Sequence, residues 1–385
     1  MSSARGAPDS LRLAFIGAGL VNFGGGEGPW DHASRFEQIE AVRCVAVADV
    51  DLPRAQGVLA ARQRGAHPQA WSEAQAFADW REMLDRVRVD VAIIGLPPDV
   101  HGQASPPFDV ELELARRNIH MLVEKPLSVA PVSVVEDVAR RLAQSGVIVS
   151  VGYMFRYSRA MNRMRQLLQE VDGGPRVFLA RYDCAYSTIS RTAWWDARRS
   201  GGPIVEQATH FLDLGRYLMG EVDLREEGGS SHSLCVHRID AGEGIGRLTD
   251  LPTGPGGMPI EWGIPEEHRA PRVTMAQWRF TDGSLGTLTH AVLLHGKRYE
   301  AELEVWADGL RCVLVDPYGQ ARLGIRRGGS DETTWETFEG DDPYMSEDRA
   351  FIDAICGRSP AGIRSAYEDA LETYRLSVAI SQARR

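Results

Sequence analysis

Nowhere does an apolar run approach the roughly 18 residues that a membrane-crossing helix needs, and the opening MSSARGAPDS lacks the apolar core of a secretory leader. Basic charge is short as well: 43 Lys and Arg stand against 53 Asp and Glu, for a formal net charge of -10. That sign argues against nucleic acid or an anionic membrane as partner, because both are held chiefly by excess cationic side chains. Cysteine is sparse and odd in number. Cys44, Cys184, Cys235, Cys312 and Cys356 lie far apart with no C-x-x-C pair, so they read as small buried side chains in a reducing compartment, and the cytoplasm is the expected location. Internal repeats and low-complexity tracts are absent too. What is present is ordinary for a globular protein, 43% hydrophobic and 25% charged over 385 residues. One hydrophobic core seldom supports that length, so two domains are expected, with a small neutral or polar molecule as the ligand.

Through about residue 150 short apolar runs alternate with amphipathic stretches, the pattern of parallel strands joined by crossover helices. LRLAFIGAG, VRCVAVADVD, VDVAIIGLPP, IHMLVEKP and VIVSVGYM read as strands; FDVELELARRN and SVVEDVARRLAQSG read as helices, the second closed by Gly146. A doubly wound sheet is expected for residues 1–150. Residues 151–385 change rhythm. The helix AMNRMRQLLQEV precedes RVFLARYDCAY, and from about residue 272 RVTMAQWRFTDG, SLGTLTHAVLL, RYEAELEVWADG and LRCVLVDPYG read as successive antiparallel strands turned by TDGS and ADGL. The C-terminal stretch returns to helix, with Ser365 and Glu368 spaced as a capping box. Residues 225–271 are Gly- and Pro-rich without periodicity, and a loop of that length is expected to be functional or mobile.

Gly17 and Gly19 of FIGAGLVN sit where the first strand turns into its crossover, as a pyrophosphate-binding turn requires. Asn22 occupies the place of the third small residue, and FGGGEGPWDH lengthens the loop before a helix signal at Ser34 to Glu37. Asp49 ends the second strand, where a carboxylate can accept hydrogen bonds from an adenosine ribose. No Arg or Lys follows it directly, which favours NAD over NADP.

VEKP places Glu124 and Lys125 at the carboxyl end of a parallel strand, the edge at which open α/β sheets bind ligands. A lysine there can hydrogen-bond a substrate hydroxyl beside a positively charged nicotinamide. In GGPIVEQATHFLDL, Glu206, His210 and Asp213 share one face if the stretch is helical. Three readings compete: a metal set, a proton-transfer group, or satisfied polar residues of a buried helix. No second clustered His and no Cys supports the metal reading, so none is expected.

Taken in order, the GAG turn, VADVD, VAIIGLPPDVH, VEKPLS, GYMFRYS, WW, GGPIVEQATHFLDL and FTDGSLGTLTH resemble the Gfo/Idh/MocA oxidoreductases, the family of glucose-fructose oxidoreductase and inositol dehydrogenase. The resemblance covers nearly the whole chain. It implies an N-terminal Rossmann domain and a C-terminal α+β domain with a large, mostly antiparallel open sheet, which often forms the interface of a homodimer or homotetramer. A terminal helix packing back on the first domain is also expected. The family's catalytic lysine matches Lys125. Its second motif ordinarily carries Asp and Gly where this chain has Glu206 and Ala208, departures that point to an unusual substrate. NAD contacts are implied at Gly17, Gly19, Leu20 and Asp49, and at Pro97, His101, Glu124 and Lys125. Pocket residues are implied at Tyr153, Arg156, Trp194, Trp195 and Asp213, where aromatic faces would stack on a sugar ring and Arg would hold hydroxyls or carboxylates.

Proton accounting then favours acid/base chemistry. Oxidising an alcohol sends a hydride to C4 of NAD and a proton to a base; His210 suits that transfer, Lys125 would polarise the same oxygen, and Glu206 would orient substrate or hold His210. The expected substrate is a secondary alcohol or ketone of a sugar, polyol or glycoside. The alternatives are a reductase of a cyclic ketone, enone or imine of secondary metabolism, a cofactor-recycling glycosidase or lyase, and a non-catalytic NAD-binding regulator.

Overall fold

The run LRLAFI becomes β1 (Leu11–Ile16), buried at every position except Arg12, because it lies inside a parallel sheet. A computed structural model describes residues 10–26, 28–186, 189, 191–227, 230–231, 233–240, 259–294, 299–358 and 362–383. The chain divides into two units, Met1–Tyr157 with Asp342–Asp369, and Ser158–Asp341 with Ala370–Arg385. The first unit therefore recovers a segment from near the C-terminus that lies beyond the expected 1–150 boundary.

In the first unit, helices α1 (Leu20–Phe23) and α2 (His32–Phe36) lead from β1 to β2 (Val42–Ala48), and α3 (Leu52–Gln63) leads on to β3 (Gln75–Phe77). Then come α4 (Trp80–Arg86), β4 (Val91–Ile94), α5 (Val110–Arg116), β5 (His120–Val123), α6 (Val132–Ser145) and β6 (Val149–Val151). The strand order β3-β2-β1-β4-β5-β6, parallel throughout, reverses direction between β1 and β4. A doubly wound sheet opens its ligand crevice at that reversal, beyond the strands' carboxyl ends. Gly146 closes α6 in the left-handed conformation (φ 76°), as its place in the sequence predicts. Helix α2 is capped by Asp31, whose carboxylate accepts the Ser34 N–H at 2.9 Å; the signal lies three residues before the expected Ser34. Phe15 anchors the core, 5.0 Å from Phe23 and 5.7 Å from Trp71 between ring centroids. Phe351 and Ile352 belong to the same buried cluster.

The second unit is built on α7 (Arg159–Gln169), β7 (Pro175–Ala185), α8 (Thr192–Trp195), α9 (Ala197–Ser200), α10 (Pro203–Glu206) and α11 (Thr209–Met219). The short pair β8 (Glu226–Glu227) and β9 (Ser230–Ser231) precedes β10 (Cys235–Ile239), β11 (Val273–Arg279), β12 (Leu285–Leu294) and β13 (Tyr299–Ala307). β14 (Leu310–Val315), β15 (Arg322–Arg327) and β16 (Thr334–Thr337) complete the sheet, in the order β10-β11-β12-β7-β13-β14-β15-β16. β7 inserts between β12 and β13, parallel to the first and antiparallel to the second, so the late strands are not all successive neighbours as their turns suggest. In β11, Thr274, Ala276 and Trp278 are buried while Met275, Gln277 and Arg279 are exposed, so one face is core and the other open.

The remaining helices are α12 (Pro343–Ile355), in the first unit, and α13 (Tyr367–Gln382). Ser365 sends its hydroxyl to the Val151 carbonyl at 2.6 Å, and α13 begins at Tyr367, so the expected capping box gives way to this tertiary bond. Of the long Gly- and Pro-rich stretch, residues 241–258 lie outside the described residues. The part beyond them forms short turns at Ile260–Gly263 and Glu266–His268, and Glu261, fully buried, receives Tyr186 and Arg272. No described helix is long and apolar enough to cross a membrane.

Candidate active site

The turn after β1 separates the two glycines physically. Gly17 has φ 97°, and a Cβ there would lie 2.4 Å from the Gly95 carbonyl oxygen, so the fold itself demands glycine. Gly19 caps α1, and a Cβ there would meet no protein atom within 4 Å. Nothing in the protein requires that position to stay bare, whereas close approach of a dinucleotide phosphate does. Asn22 turns inward, fully buried, and its amide donates to the Gly17 carbonyl at 2.7 Å. Room for it comes from Gly95, where a Cβ would sit 2.5 Å from that amide nitrogen. The departure from a third small residue is thus absorbed at the residue that follows the neighbouring strand, β4.

Asp49 accepts the Ala18 N–H at 2.7 Å and the Asp51 N–H at 2.9 Å, and pairs with Arg54 at 2.6 Å. Burial alone would raise its pKa, but Arg54 and the two backbone donors outweigh burial and hold it below the ordinary carboxylate value. Arg54 lies one turn into α3, beyond the immediate neighbours of Asp49 that decide the cofactor expectation. Leu20 and Pro97 are exposed beside the turn and at the end of β4. His101 is buried, with Nδ1 2.7 Å from Glu111.

At the end of β5, Glu124 is also directed into the protein. Its carboxylate meets His32 at 2.9 Å and accepts the Lys125 N–H at 3.1 Å. Lys125 is half-buried and precedes a cis peptide to Pro126. It is one of only two lysines, with Lys297, among the chain's 43 Lys and Arg residues. A guanidinium cannot give up its proton near neutral pH, whereas an ammonium can, so the rarity of lysine makes its presence here chemically pointed. Tyr153 and Arg156 follow β6 in the same unit, both buried; Arg156 is committed to Asp369 and to the Arg364 carbonyl.

The second unit holds the acid and the imidazole. Glu206 ends α10 and His210 opens α11, so they stand on two short helices rather than on one continuous face. Trp194 donates its indole N–H to Glu206 at 2.9 Å. Trp195 is fully buried against Tyr186, ring centroids 5.0 Å apart, and donates to the Ile189 carbonyl at 3.0 Å, which makes it framework. Asp213, buried on the same helix as His210, accepts from Thr373 at 3.1 Å inside the unit. His210 meets the edge of Tyr318 at 6.2 Å. Tyr318 packs on Tyr299, which stacks on Tyr182, which stacks on His290 at 5.3 Å. Burial raises the Tyr318 and Tyr182 phenols well above the ordinary value, and nearby Glu206 adds to the effect. Burial also lowers His290 to about 3, so it is neutral and donates through Nε2 to Gln207 at 2.8 Å. Sequence reasoning misses this tyrosine cluster, because its members come from β7, β13 and the turn after β14. Among the described residues no three His, Cys, Asp or Glu side chains are grouped to hold a metal ion.

Two family models match consecutive parts of the chain: the oxidoreductase family with an NAD-binding Rossmann fold over residues 11–153, and the oxidoreductase C-terminal domain over 156–310. An uncharacterized protein of Schizosaccharomyces pombe is 35% identical over 382 residues, covering 96% of each chain.

The chain belongs to the Gfo/Idh/MocA oxidoreductase family.

This Gfo/Idh/MocA protein is also 22% identical to the myo-inositol 2-dehydrogenase of Thermotoga maritima over 364 residues, 92% of this chain and 90% of that one. Its fold matches the WlbA dehydrogenase of Bordetella pertussis, solved with NADH and UDP-GlcNAcA, at TM-score 0.68 and 16% identity over 96% of this chain and 95% of that one. It likewise matches KijD10, a 3-ketoreductase of Actinomadura kijaniata solved with NADP and TDP-benzene, at TM-score 0.69 and 16% identity over 96% and 97%. It is an NAD(P)-binding oxidoreductase. At the turn after β1, Gly19 leaves open space, Gly17 takes a positive φ of 97°, and Asp49, its pKa held below the ordinary value, is an acceptor at the end of β2.

Proposed function

We propose that the protein oxidises a secondary alcohol of a sugar, polyol or glycoside, or reduces the matching ketone, with NAD as cofactor. The observation that carries this reading is Lys125, a lysine kept at the end of β5 in a chain that otherwise uses arginine almost throughout. Gly17, Gly19 and Asp49 would hold the dinucleotide, which when bound supplies the hydride acceptor. Lys125 donates a hydrogen bond to the substrate oxygen and stabilises its developing negative charge as the hydroxyl proton leaves. His210 moves that proton. Glu206, held by Trp194, accepts from a neighbouring substrate hydroxyl, and its longer side chain brings the carboxylate further forward than Asp would. Trp194, Tyr299 and Tyr318, each half-buried, supply aromatic surface of the kind that stacks on a sugar ring.

The open sheet face, with Met275, Leu285, Trp306 and Trp335 exposed, fits a second copy of the chain, and the widely spaced cysteines fit the cytoplasm. The purified protein is expected to form NADH from NAD+ with at least one member of a panel of inositols and methyl glycosides. Bound NAD(H) with no turnover across the panel would instead indicate a regulator, and product without NADH a cofactor-recycling lyase.

An ionised Asp49 repels a 2′-phosphate and can accept from a ribose hydroxyl. Asp49→Ser is therefore expected to weaken NAD+ binding by about 10- to 100-fold, the loss of a charged hydrogen bond, while NADP+ binding tightens because Arg54 is released. Fluorescence titration with NADH and NADPH checks both arms, and an unchanged ratio overturns the assignment.

A further inference from the structure

One buried ionic group has no role in the reaction above. His32, at the start of α2, is 0% exposed, yet both ring nitrogens face carboxylates. Nδ1 lies 2.9 and 3.1 Å from the two oxygens of Asp348 on α12, and Nε2 lies 2.9 Å from Oε1 of Glu124 at the end of β5. A neutral imidazole has one N–H, so it would satisfy one carboxylate and aim a lone pair at the other; the imidazolium donates to both. Burial pulls the His32 pKa down, but Asp348 and Glu124 outweigh burial and hold it well above the ordinary value. Beside it lie Phe36 of α2, ring centroids 6.1 Å apart, Tyr344 of α12, whose ring meets His32 edge-on at 5.8 Å, and Arg35 of α2, which acts electrostatically on Asp348. The lengthened loop after α1 ends in Asp31, which caps α2 and so fixes where His32 stands.

The other Glu124 oxygen accepts the Lys125 N–H at 3.1 Å. Gly152 is required beside it, since a Cβ there would lie 2.9 Å from the Glu124 carboxylate. Beyond the cis peptide the turn is tied again: Ser128 donates to the His101 carbonyl at 3.2 Å, and Glu111 bonds both the His101 ring and the Gly102 N–H at 2.7 and 2.9 Å. The backbone carrying Lys125 is thereby held between two buried acid–imidazole groups.

We propose that His32 is a positioning residue: braced by Asp348, it holds the Glu124 carboxylate in the orientation that receives the Lys125 N–H, and so fixes the backbone from which Lys125 extends. Without the imidazolium, two buried carboxylates lose their shared donor, and Glu124 turns away or takes up a proton. Lys125 then loses its anchor. The proposal rests on the reading of Lys125 as the acting group, but its own test needs no substrate.

Because lysine is so rare in this chain, mass spectrometry can follow acylation of Lys125 by acetic anhydride in the NADH-bound full-length protein, against an added lysine peptide as standard. In His32→Gln the Lys125 labelling rate is expected to rise by more than about twofold, as the loosened backbone lets the amine reach solvent more often. Cofactor affinity should stay within about threefold of wild type, since the Gly17, Gly19 and Asp49 contacts are untouched. Where a panel substrate is turned over, kcat should fall about 10- to 100-fold with little change in KM, the mark of misplacement rather than lost binding. Asp348→Asn, which removes the brace but keeps the shape, should move the same readouts in the same direction and serves if His32→Gln does not fold. A Lys125 rate that stays within about twofold of wild type, or falls, in a folded variant overturns the positioning role. A rise in labelling in a protein that turns over no panel substrate would sustain the positioning role and sink the proposed activity instead.

Discussion

Lys125→Met is expected to reduce turnover by about 10²- to 10⁴-fold, the range lost with a positioned acid–base group, while NAD+ binding stays within a few-fold. Methionine nearly matches the length of lysine and removes only the ammonium, so the effect isolates charge and proton donation from packing. The cofactor contacts assigned to Gly17, Gly19 and Asp49 lie on other segments, and the Glu124 anchor reaches Lys125 through its main-chain N–H, which Met retains. Stopped-flow hydride transfer and NADH fluorescence measure the two quantities separately. Full residual turnover would exclude Lys125 from the chemistry, and loss of NAD+ binding in step with activity would make it a cofactor ligand only.

His210→Asn is the second large effect. The amide keeps a polar group at the start of α11 beside Tyr318 but cannot carry a proton through a catalytic cycle. A fall in kcat of about 10²-fold is expected, with KM altered far less, because the loss falls on proton transfer rather than on binding. If Lys125 and His210 serve one proton transfer, the double variant should be little slower than the slower single one, because groups acting as a unit are not additive. Two losses that multiply would separate their roles.

How much of this was legible beforehand differs from residue to residue. β1, the Gly146 cap of α6 and the glycine turn were readable because each depends on residues a few positions apart: apolar runs, a left-handed cap, a backbone bend. The continuous helix expected through Glu206, His210 and Asp213 is instead two, α10 and α11, and Asp213 turns to Thr373. Spacing assumes one unbroken helix, and the chain breaks it at Gln207 and Ala208. Arg156 and Trp195 carried the residue types of a sugar pocket, yet Arg156 is bound to Asp369 and Trp195 to the Ile189 carbonyl. Residue type advertises hydrogen-bonding capacity, and only the fold decides which partner takes it.

The sequence by itself determined the doubly wound first half, the dinucleotide turn, the family and the lysine at the end of β5, because these rest on local pattern and on motif order. Tertiary structure alone decided that β7 would enter the sheet between β12 and β13, that Gly95 would make room for Asn22, and that a cluster of tyrosines from three segments would present Tyr318 to His210. It also decided that His32 would bridge carboxylates 92 and 316 positions away. The physical reason is one of range. Backbone bends and hydrophobic periodicity are set by neighbours along the chain, whereas a buried charge is tolerable only where the fold delivers its partners, and those partners leave no periodic trace.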